Sequence, residues 1–411
     1  MVIIMKVIIL GAGGRGRNYT RFCRQYNADI VAVADPDRKK LNKLAKDFEI
    51  PEERLYSDWT QVLSKEKFAD AVINATPDKV HYSSTIAALD KGYHVLVEKP
   101  MSDSEQECID MVEKAEEKKL ILMVCHVLRY APFFEKLKEL LEEERIGRLV
   151  NMEMTENCAH WHFVHSYVRG VFRNETISSP FILAKSCHDL DLIGYLTGKK
   201  CLSVVSEGGL TYYKEENAPE GAPAFCLEGC PYETSCPYFA PRLYLNQITQ
   251  VGWPTESISA DTSFAARYEV LKNGQYGRCV FHCDNDVCDH QSAIFAMEDG
   301  LTVSFNMTGF SSENTRTMRI FGTKGDIRGH LDRGEIEVYD FLTKEKKQVS
   351  IQSETIVSSH GGGDARLLKD FLDAAGGNGG NRKTLARLSL QSHLMAFAAE
   401  KSRREGKRIH L

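Results

Sequence analysis

The chain has 411 residues, 43% of them hydrophobic and 27% charged, with a formal net charge of −5. That balance excludes a protein that neutralises nucleic-acid phosphates with a basic face, and no apolar run is long enough to span a bilayer as a helix. The length exceeds one comfortable hydrophobic core, so two domains are expected.

The opening Met1-Val2-Ile3-Ile4-Met5-Lys6 is apolar, but it runs into a buried-strand pattern without a cleavage site. It does not read as a signal peptide, and Met5 is an alternative start. Twelve cysteines in a large chain without an export signal suit reduced thiols and a cytoplasmic setting. Cys23, Cys108, Cys125, Cys158, Cys187 and Cys201 stand in apolar contexts and read as small core residues.

Lys6-Val7-Ile8-Ile9-Leu10 is a continuous apolar β run, as for a strand covered on both faces of a parallel sheet. It enters Gly11-Ala12-Gly13-Gly14-Arg15-Gly16, which fits G-x-G-x-x-G at Gly11, Gly13 and Gly16. A helix over 17–25 and a second β run over 30–34 follow, ending in Asp35. Such a turn needs glycine to bring bare backbone against a pyrophosphate at a helix N-terminus. Gly11, Gly13, Gly14, Arg15 and Gly16 are therefore candidate dinucleotide contacts. Asp35, about twenty residues past the last glycine, can accept hydrogen bonds from the adenosine ribose. It would repel a 2′-phosphate, which favours NAD over NADP, while Arg38 and Lys39 nearby act in the opposite sense. The alternative is a glycine turn in some other βαβ unit.

Strand and turn over 70–77, helix over 81–91, strand over 94–97, helix over 104–118 and strand over 120–124 continue the alternation. This predicts a doubly wound parallel sheet of Rossmann type over residues 1–128. Ligands on such a sheet bind beyond the carboxyl ends of its strands, where Thr76, Pro77, Glu98, Lys99 and His126 stand. A lysine at that crevice can polarise a carbonyl oxygen or exchange a proton with an alcohol; a plain solvated turn lysine is the other reading.

These stretches, with Ala75-Thr76-Pro77, His81, the run from Gly92 to Glu98-Lys99-Pro100, and Ile146-Gly147-Arg148-Leu149, resemble the Gfo/Idh/MocA family of glucose–fructose oxidoreductase and inositol dehydrogenase. The likeness extends along the whole chain, and the Glu-Lys-Pro run is its most specific part. It implies an NAD(P)-dependent oxidoreductase acting on a hydroxyl of a sugar or polyol, with Glu-Lys-Pro at the nicotinamide. It further implies that Lys99 assists catalysis and that His81 joins the cofactor contacts.

From about residue 129 to 411 the pattern changes. A helix over 133–144 precedes a strand over 148–154, and β runs follow over 201–206, 276–283, 291–297, 301–307, 318–321 and 336–339. Without long helices between the later runs, an α+β domain with a large, mostly antiparallel sheet is expected, its open face a route to a homo-oligomer, dimer or tetramer. Helices over 365–375 and 384–404 close the chain, the first preceded by His360-Gly361-Gly362-Gly363 with Asp364 as N-cap.

A helix over 180–196 holds Lys185, His188 and Asp191, spaced by three on one face. His188 can take the proton of a substrate hydroxyl as hydride leaves, with Asp191 or a backbone group fixing its tautomer; a buried salt-bridged cluster is the alternative. The family carries an acid four residues before its histidine, where this chain has Ala184, and Lys185 is expected to steer the substrate instead. Ahead of this helix, His160, Trp161, His162 and His165, with Arg169 after them, interleave aromatic and polar groups. That mixture suits a carbohydrate, and these residues with Asp191 are candidate substrate contacts. A histidine metal site and a structural loop are the alternatives.

Cys226, Cys230 and Cys236 lie in a proline-rich insert at about 215–245. Thiolates this close suit tetrahedral zinc, with Cys283 as fourth ligand and Cys279 and Cys288 as alternates. An iron–sulfur cluster is chemically allowed, and free or disulfide-bonded cysteines are the third reading. Asp284-Asn285-Asp286 lacks the glycine and bidentate acid of a calcium loop. Three functions compete: an NAD-dependent sugar or polyol dehydrogenase, a redox-neutral glycoside hydrolase working through tightly bound NAD, and a non-catalytic NAD-binding regulator. The expected partner is a small carbohydrate, with neither nucleic acid nor membrane.

Overall fold

The computed structural model describes residues 4–246, 252–259, 261–351 and 362–411. Met1, Val2 and Ile3 of the opening run, and His360 and Gly361, lie outside the described residues. Six strands, β1 (Lys6–Leu10), β2 (Asp29–Ala34), β3 (Leu55–Tyr56), β4 (Ala71–Asn74), β5 (His94–Val97) and β6 (Leu122–Val124), form one parallel sheet in the order β3-β2-β1-β4-β5-β6. That is the doubly wound dinucleotide order, with its switch point between β1 and β4. Val7, Ile8, Ile9 and Leu10 are fully buried, because helices cover both faces. Two of those helices, Arg38–Phe48 and Glu105–Glu117, start on side-chain caps: Asp37 accepts from the Lys39 and Lys40 N–H groups, and Ser104 from that of Glu107.

The second sheet has nine strands: β7 (Leu149–Ala159), β8 (Cys201–Gly209), β9 (His290–Met297), β10 (Thr302–Ser311), β11 (Thr315–Gly322), β12 (Gly325–His330), β13 (Glu335–Asp340), β14 (Lys346–Ser350) and β15 (Ile409–His410). The order is β14-β13-β12-β11-β7-β10-β9-β8-β15, antiparallel throughout except for the β7–β10 pair. β7 runs five residues past the expected end at Met154, with Met152, Met154, Glu156 and Cys158 on its buried face. The acid in that row hid the alternation.

Three expectations are corrected here. Residues 276–283 are not a strand: only Arg278 makes an isolated bridge, to Phe225. The chain turns at Gly277, where a Cβ would stand 1.7 Å from the Leu271 carbonyl oxygen, and Arg278 folds back onto the His282 carbonyl. The helix expected over 180–196 is two helices, Phe181–Ala184 and Cys187–Thr197, broken at Lys185 and Ser186. The Ala184 carbonyl, which an unbroken helix would offer to the N–H four residues on, receives the Lys99 ammonium instead, at 2.6 Å. Asp364 is not a cap; Gly362, at φ +83°, takes that place, and Asp364 lies in the first turn of Gly363–Ala375 paired with Arg15.

The last helix, Ala386–Glu405, packs on β8 and returns to the first sheet. Leu385 bridges to Met123 of β6, and the Met101 N–H donates to His393 Nε2 at 2.9 Å. Among the described residues no helix is long and apolar enough to cross a membrane.

Candidate active site

The glycine loop leaves β1 at Gly11, whose φ of +94° and 2.2 Å approach of a would-be Cβ to the Ala75 oxygen admit only glycine. Gly16 is equally constrained, because a Cβ there would stand 1.9 Å from the Gly11 oxygen. Gly13 and Gly14, by contrast, face open space, with no atom within 4 Å of a Cβ. That opening lies at the start of the helix Gly14–Gln25, whose first N–H groups have no intrahelical acceptor. Bare backbone and free donors facing a gap fit a dinucleotide pyrophosphate. Asp35 lies at the same edge, accepting from the Ala12 N–H at 2.7 Å and the Asp37 N–H at 2.8 Å. A carboxylate has further lone pairs for ribose hydroxyls. Arg38 is turned away and paired with Glu52.

Arg15 contacts Glu98 at 2.5 Å and Asp364 at 2.6 Å, and the Tyr19 hydroxyl donates to Glu98 at 2.6 Å. Burial raises the Glu98 carboxyl, but Arg15 and the Tyr19 hydrogen bond outweigh it and hold it below the usual value. Arg15 thus clamps the glycine loop to the exit of β5. His81 is a brace and not an open cofactor contact: it is buried, with Nδ1 2.7 Å from the Pro100 oxygen and Nε2 2.8 Å from that of Thr76. It fixes the loop holding Thr76 and Pro77 against the one holding Lys99. The Thr76 hydroxyl donates to Asn74 Oδ1 at 2.7 Å.

Through its bond to Ala184, Lys99 meets the helix break that carries Lys185 and leads into His188. His188 is 5% exposed and stands edge-on to His126, with ring centroids 5.6 Å apart. Burial, aided by Arg129 and Lys99, pushes His126 well below its ordinary value, so it is neutral. Lys185 Nζ is 3.3 Å from Glu156 Oε1, and Arg316 joins Glu156 at 2.8 Å to Asp189 at 2.7 Å. Around this floor, His162 reaches Asn314 at 2.7 Å, and His160 lies 3.4 Å from the Ser311 oxygen. Trp161 meets Trp253, with ring centroids 5.3 Å apart, and His162 lies 4.7 Å from the same Trp253 ring.

Several expected site residues are occupied elsewhere. Asp191 gives both carboxylate oxygens to Arg129 at 2.7 Å, so it is a buried brace and not a substrate contact. Arg169 is 1% exposed and spends its guanidinium on the Arg278 and Tyr238 carbonyls and on the Cys226 sulfur, away from any open cleft. His165 has one ring nitrogen on the Tyr244 hydroxyl and the other on Ser257. Among the described residues no group of three or more His, Cys, Asp or Glu side chains is arranged to hold a metal ion. The arrangement of the described residues does not support the zinc expectation for Cys226, Cys230, Cys236 and Cys283. The Cys226 sulfur accepts from the Arg169 guanidinium at 3.7 Å, and Cys283 donates to the Cys279 carbonyl at 3.3 Å.

Sequence reasoning missed Glu156, Arg316 and Trp253. Glu156 carried a readable signal, an acid at an inward position of a β alternation. Arg316 and Trp253 lie 160 and 97 residues beyond Glu156, and no local pattern ties them to the site.

Residues 5–126 match the model of the oxidoreductase family with NAD-binding Rossmann fold, Gfo/Idh/MocA. Bacillus subtilis YteT, named as an oxidoreductase, is 27% identical over 86% of this chain and 83% of its own length. A 2,7-anhydro-N-acetylneuraminate hydratase from Mediterraneibacter gnavus is 30% identical over 51% of this chain and 53% of its own, so the match spans about half of each. A levoglucosan dehydrogenase solved with NADH and levoglucosan shares the fold over 99% of both chains, with a TM-score of 0.73 at 16% identity. By the family match, residues 5–126 form the NAD-binding Rossmann domain of the Gfo/Idh/MocA oxidoreductase family, and the chain is similar to YteT along most of its length.

Proposed function

We propose that this NAD-binding oxidoreductase moves hydride between NAD and a hydroxyl-bearing carbon of a sugar or polyol. The observation that carries the reading is the 2.6 Å bond from Lys99 to the Ala184 carbonyl, which ties the strand end beside the glycine loop to the helix of His188. NAD, held by the glycine loop and Asp35, supplies the hydride acceptor. His188 takes the hydroxyl proton, and Lys99 and Lys185 hold the reacting oxygen and favour its negative charge. Trp161 and Trp253 offer aromatic faces to sugar C–H groups, and His160 and His162 offer nitrogens to hydroxyls. Asp35 favours NAD over NADP by charge, and the turned-away Arg38 supports that preference.

A redox-neutral variant of the same step is favoured by a hydratase among the relatives, since hydration leaves no net oxidation. In that reading the carbon is oxidised transiently, a bond is broken or hydrated, and the hydride returns. The test is a panel of sugars, polyols, glycosides and anhydro-sugars with NAD and with NADP. Reduced NAD, or product formed without it, supports the reading and chooses between its variants. Cofactor binding with no turnover of any substrate overturns it in favour of a non-catalytic NAD-binding regulator.

A further inference from the structure

Glu156 stands between Met154 and Cys158 on the inward face of β7, 1% exposed, where the alternation otherwise places apolar side chains. A buried carboxylate is strongly destabilising unless it is paired. Glu156 has two cations: Lys185 Nζ at 3.3 Å from Oε1 and Arg316 Nη2 at 2.8 Å from Oε2. Arg316 turns its Nε at 2.7 Å to Asp189, whose carboxyl burial raises, so two acids and two bases form one linked set. The four side chains differ in reach: Glu156 is 1% exposed, Asp189 0%, Arg316 10% and Lys185 16%. Lys185 is the most exposed of the four.

The groups facing Lys185 come from every element around it: Glu156 and Cys158 on β7, Arg316 on β11, Asp189 on the following helix, and His162. Burial, then Lys185, pushes His162 well below its ordinary value, and burial pushes the Cys158 thiol up to about 12, so neither is charged near neutral pH. Among the described residues Glu156 is the one carboxylate within ion-pair reach of Lys185. Position 184, where the family pattern has an acid, is alanine.

We infer that Glu156 is the acid of this site: from the adjacent strand it pairs with Lys185 and holds its ammonium aimed at the substrate oxygen, the role left vacant at position 184. Glu156 acts through Lys185 and is a positioning residue. Lys185 is then a fixed donor to the reacting oxygen, and proton acceptance falls to His188. Lys99 differs in kind, because its ammonium rests on a neutral carbonyl. The assignment rests on the proposed function for its catalytic meaning, but the pairing is tested without a substrate.

The experiment uses the full chain as wild type, Glu156→Gln, Glu156→Asp and Lys185→Met, with melting temperature and NAD binding as checks on folding. Acetic anhydride labelling, read peptide by peptide by mass spectrometry from neutral to alkaline pH, reports the free amine at each lysine. In Glu156→Gln, the Lys185 amine loses its ion-pair partner and its acylation rises severalfold, while that of Lys99 is unchanged. Glu156→Asp restores part of the protection. Should the glutamine variant fail to fold, labelling of the aspartate variant at Lys185, intermediate or unchanged, decides the same point. On a substrate identified by the panel, kcat falls in Glu156→Gln with little change in KM. The double variant with Lys185→Met is then no worse than Lys185→Met alone. Unchanged labelling at Lys185 overturns the inference even if turnover falls. Labelling that changes as expected, in a protein that turns over nothing, leaves the pairing standing and removes the catalytic reading instead.

Discussion

Two lysines meet at the broken helix, Lys99 from the loop after β5 and Lys185 from the break itself, and each is held by different chemistry. Lys99 donates to the Ala184 carbonyl, and Lys185 pairs with the Glu156 carboxylate. Replacing Lys99 by Met or His188 by Asn is expected to lower kcat by about 10²- to 10⁴-fold, the usual worth of a proton-transfer group. NAD affinity, read by titration, should stay the same, since the glycine loop is untouched. Asp35→Ala is expected to weaken NAD binding about tenfold, or about 1.4 kcal/mol, and to narrow the preference over NADP in the same titration. At this scale the sequence was legible wherever spacing along one segment defined the chemistry, as for Gly11 to Gly16, Asp35, Lys99 and His188. Glu156 was missed, although its inward place in the alternation was readable, because an acid in a buried strand looks like the strand's end. Trp253 was illegible because its partners are separated from it by the whole insert.

At the scale of elements, the break between Phe181–Ala184 and Cys187–Thr197 is the feature that positions the chemistry. The second helix is anchored by Asp191, whose carboxyl burial raises and Arg129 holds down. Arg129→Met would leave that carboxylate buried without its cation and is expected to cost about 3–5 kcal/mol in denaturant unfolding. A loss under about 1 kcal/mol would show that the pair does not anchor the helix. Helical periodicity predicted one helix here because Lys185 and Ser186 are compatible with helix; the interruption depends on an ammonium from another part of the chain. For the same reason 276–283 read as a strand: its composition suits one, but no strand lies beside it to pair with. The parallel sheet was read correctly, because its strands are largely apolar and short helices alternate with them.

At the scale of the whole molecule, the last helix ties the two sheets together, and its His393 is buried against the loop that follows Lys99. Burial lowers His393 from 6.5 to about 3 and His165 from 6.5 to about 4. Both are neutral in the fold and bind protons more readily when unfolded, so their contribution is complete above about pH 6.5 and is lost as pH falls towards 4. Denaturant midpoints should therefore drop between pH 7 and pH 5, and His165→Gln should flatten the slope. A chelator is expected to leave the melting temperature unchanged, and a fall of several degrees would restore a metal to the cysteine insert. The central claim, hydride transfer between a substrate carbon and NAD, is tested most directly with a ring-deuterated substrate from the panel, by mass analysis of the recovered cofactor. Deuterium in the nicotinamide of the wild type, lost in Lys99→Met and His188→Asn, is the predicted result: it stays in the recovered cofactor after net oxidation, and in redox-neutral turnover, where the deuteride returns to the substrate, it is found in the reduced cofactor trapped by quenching during turnover. Turnover with no deuterium reaching the cofactor would contradict it.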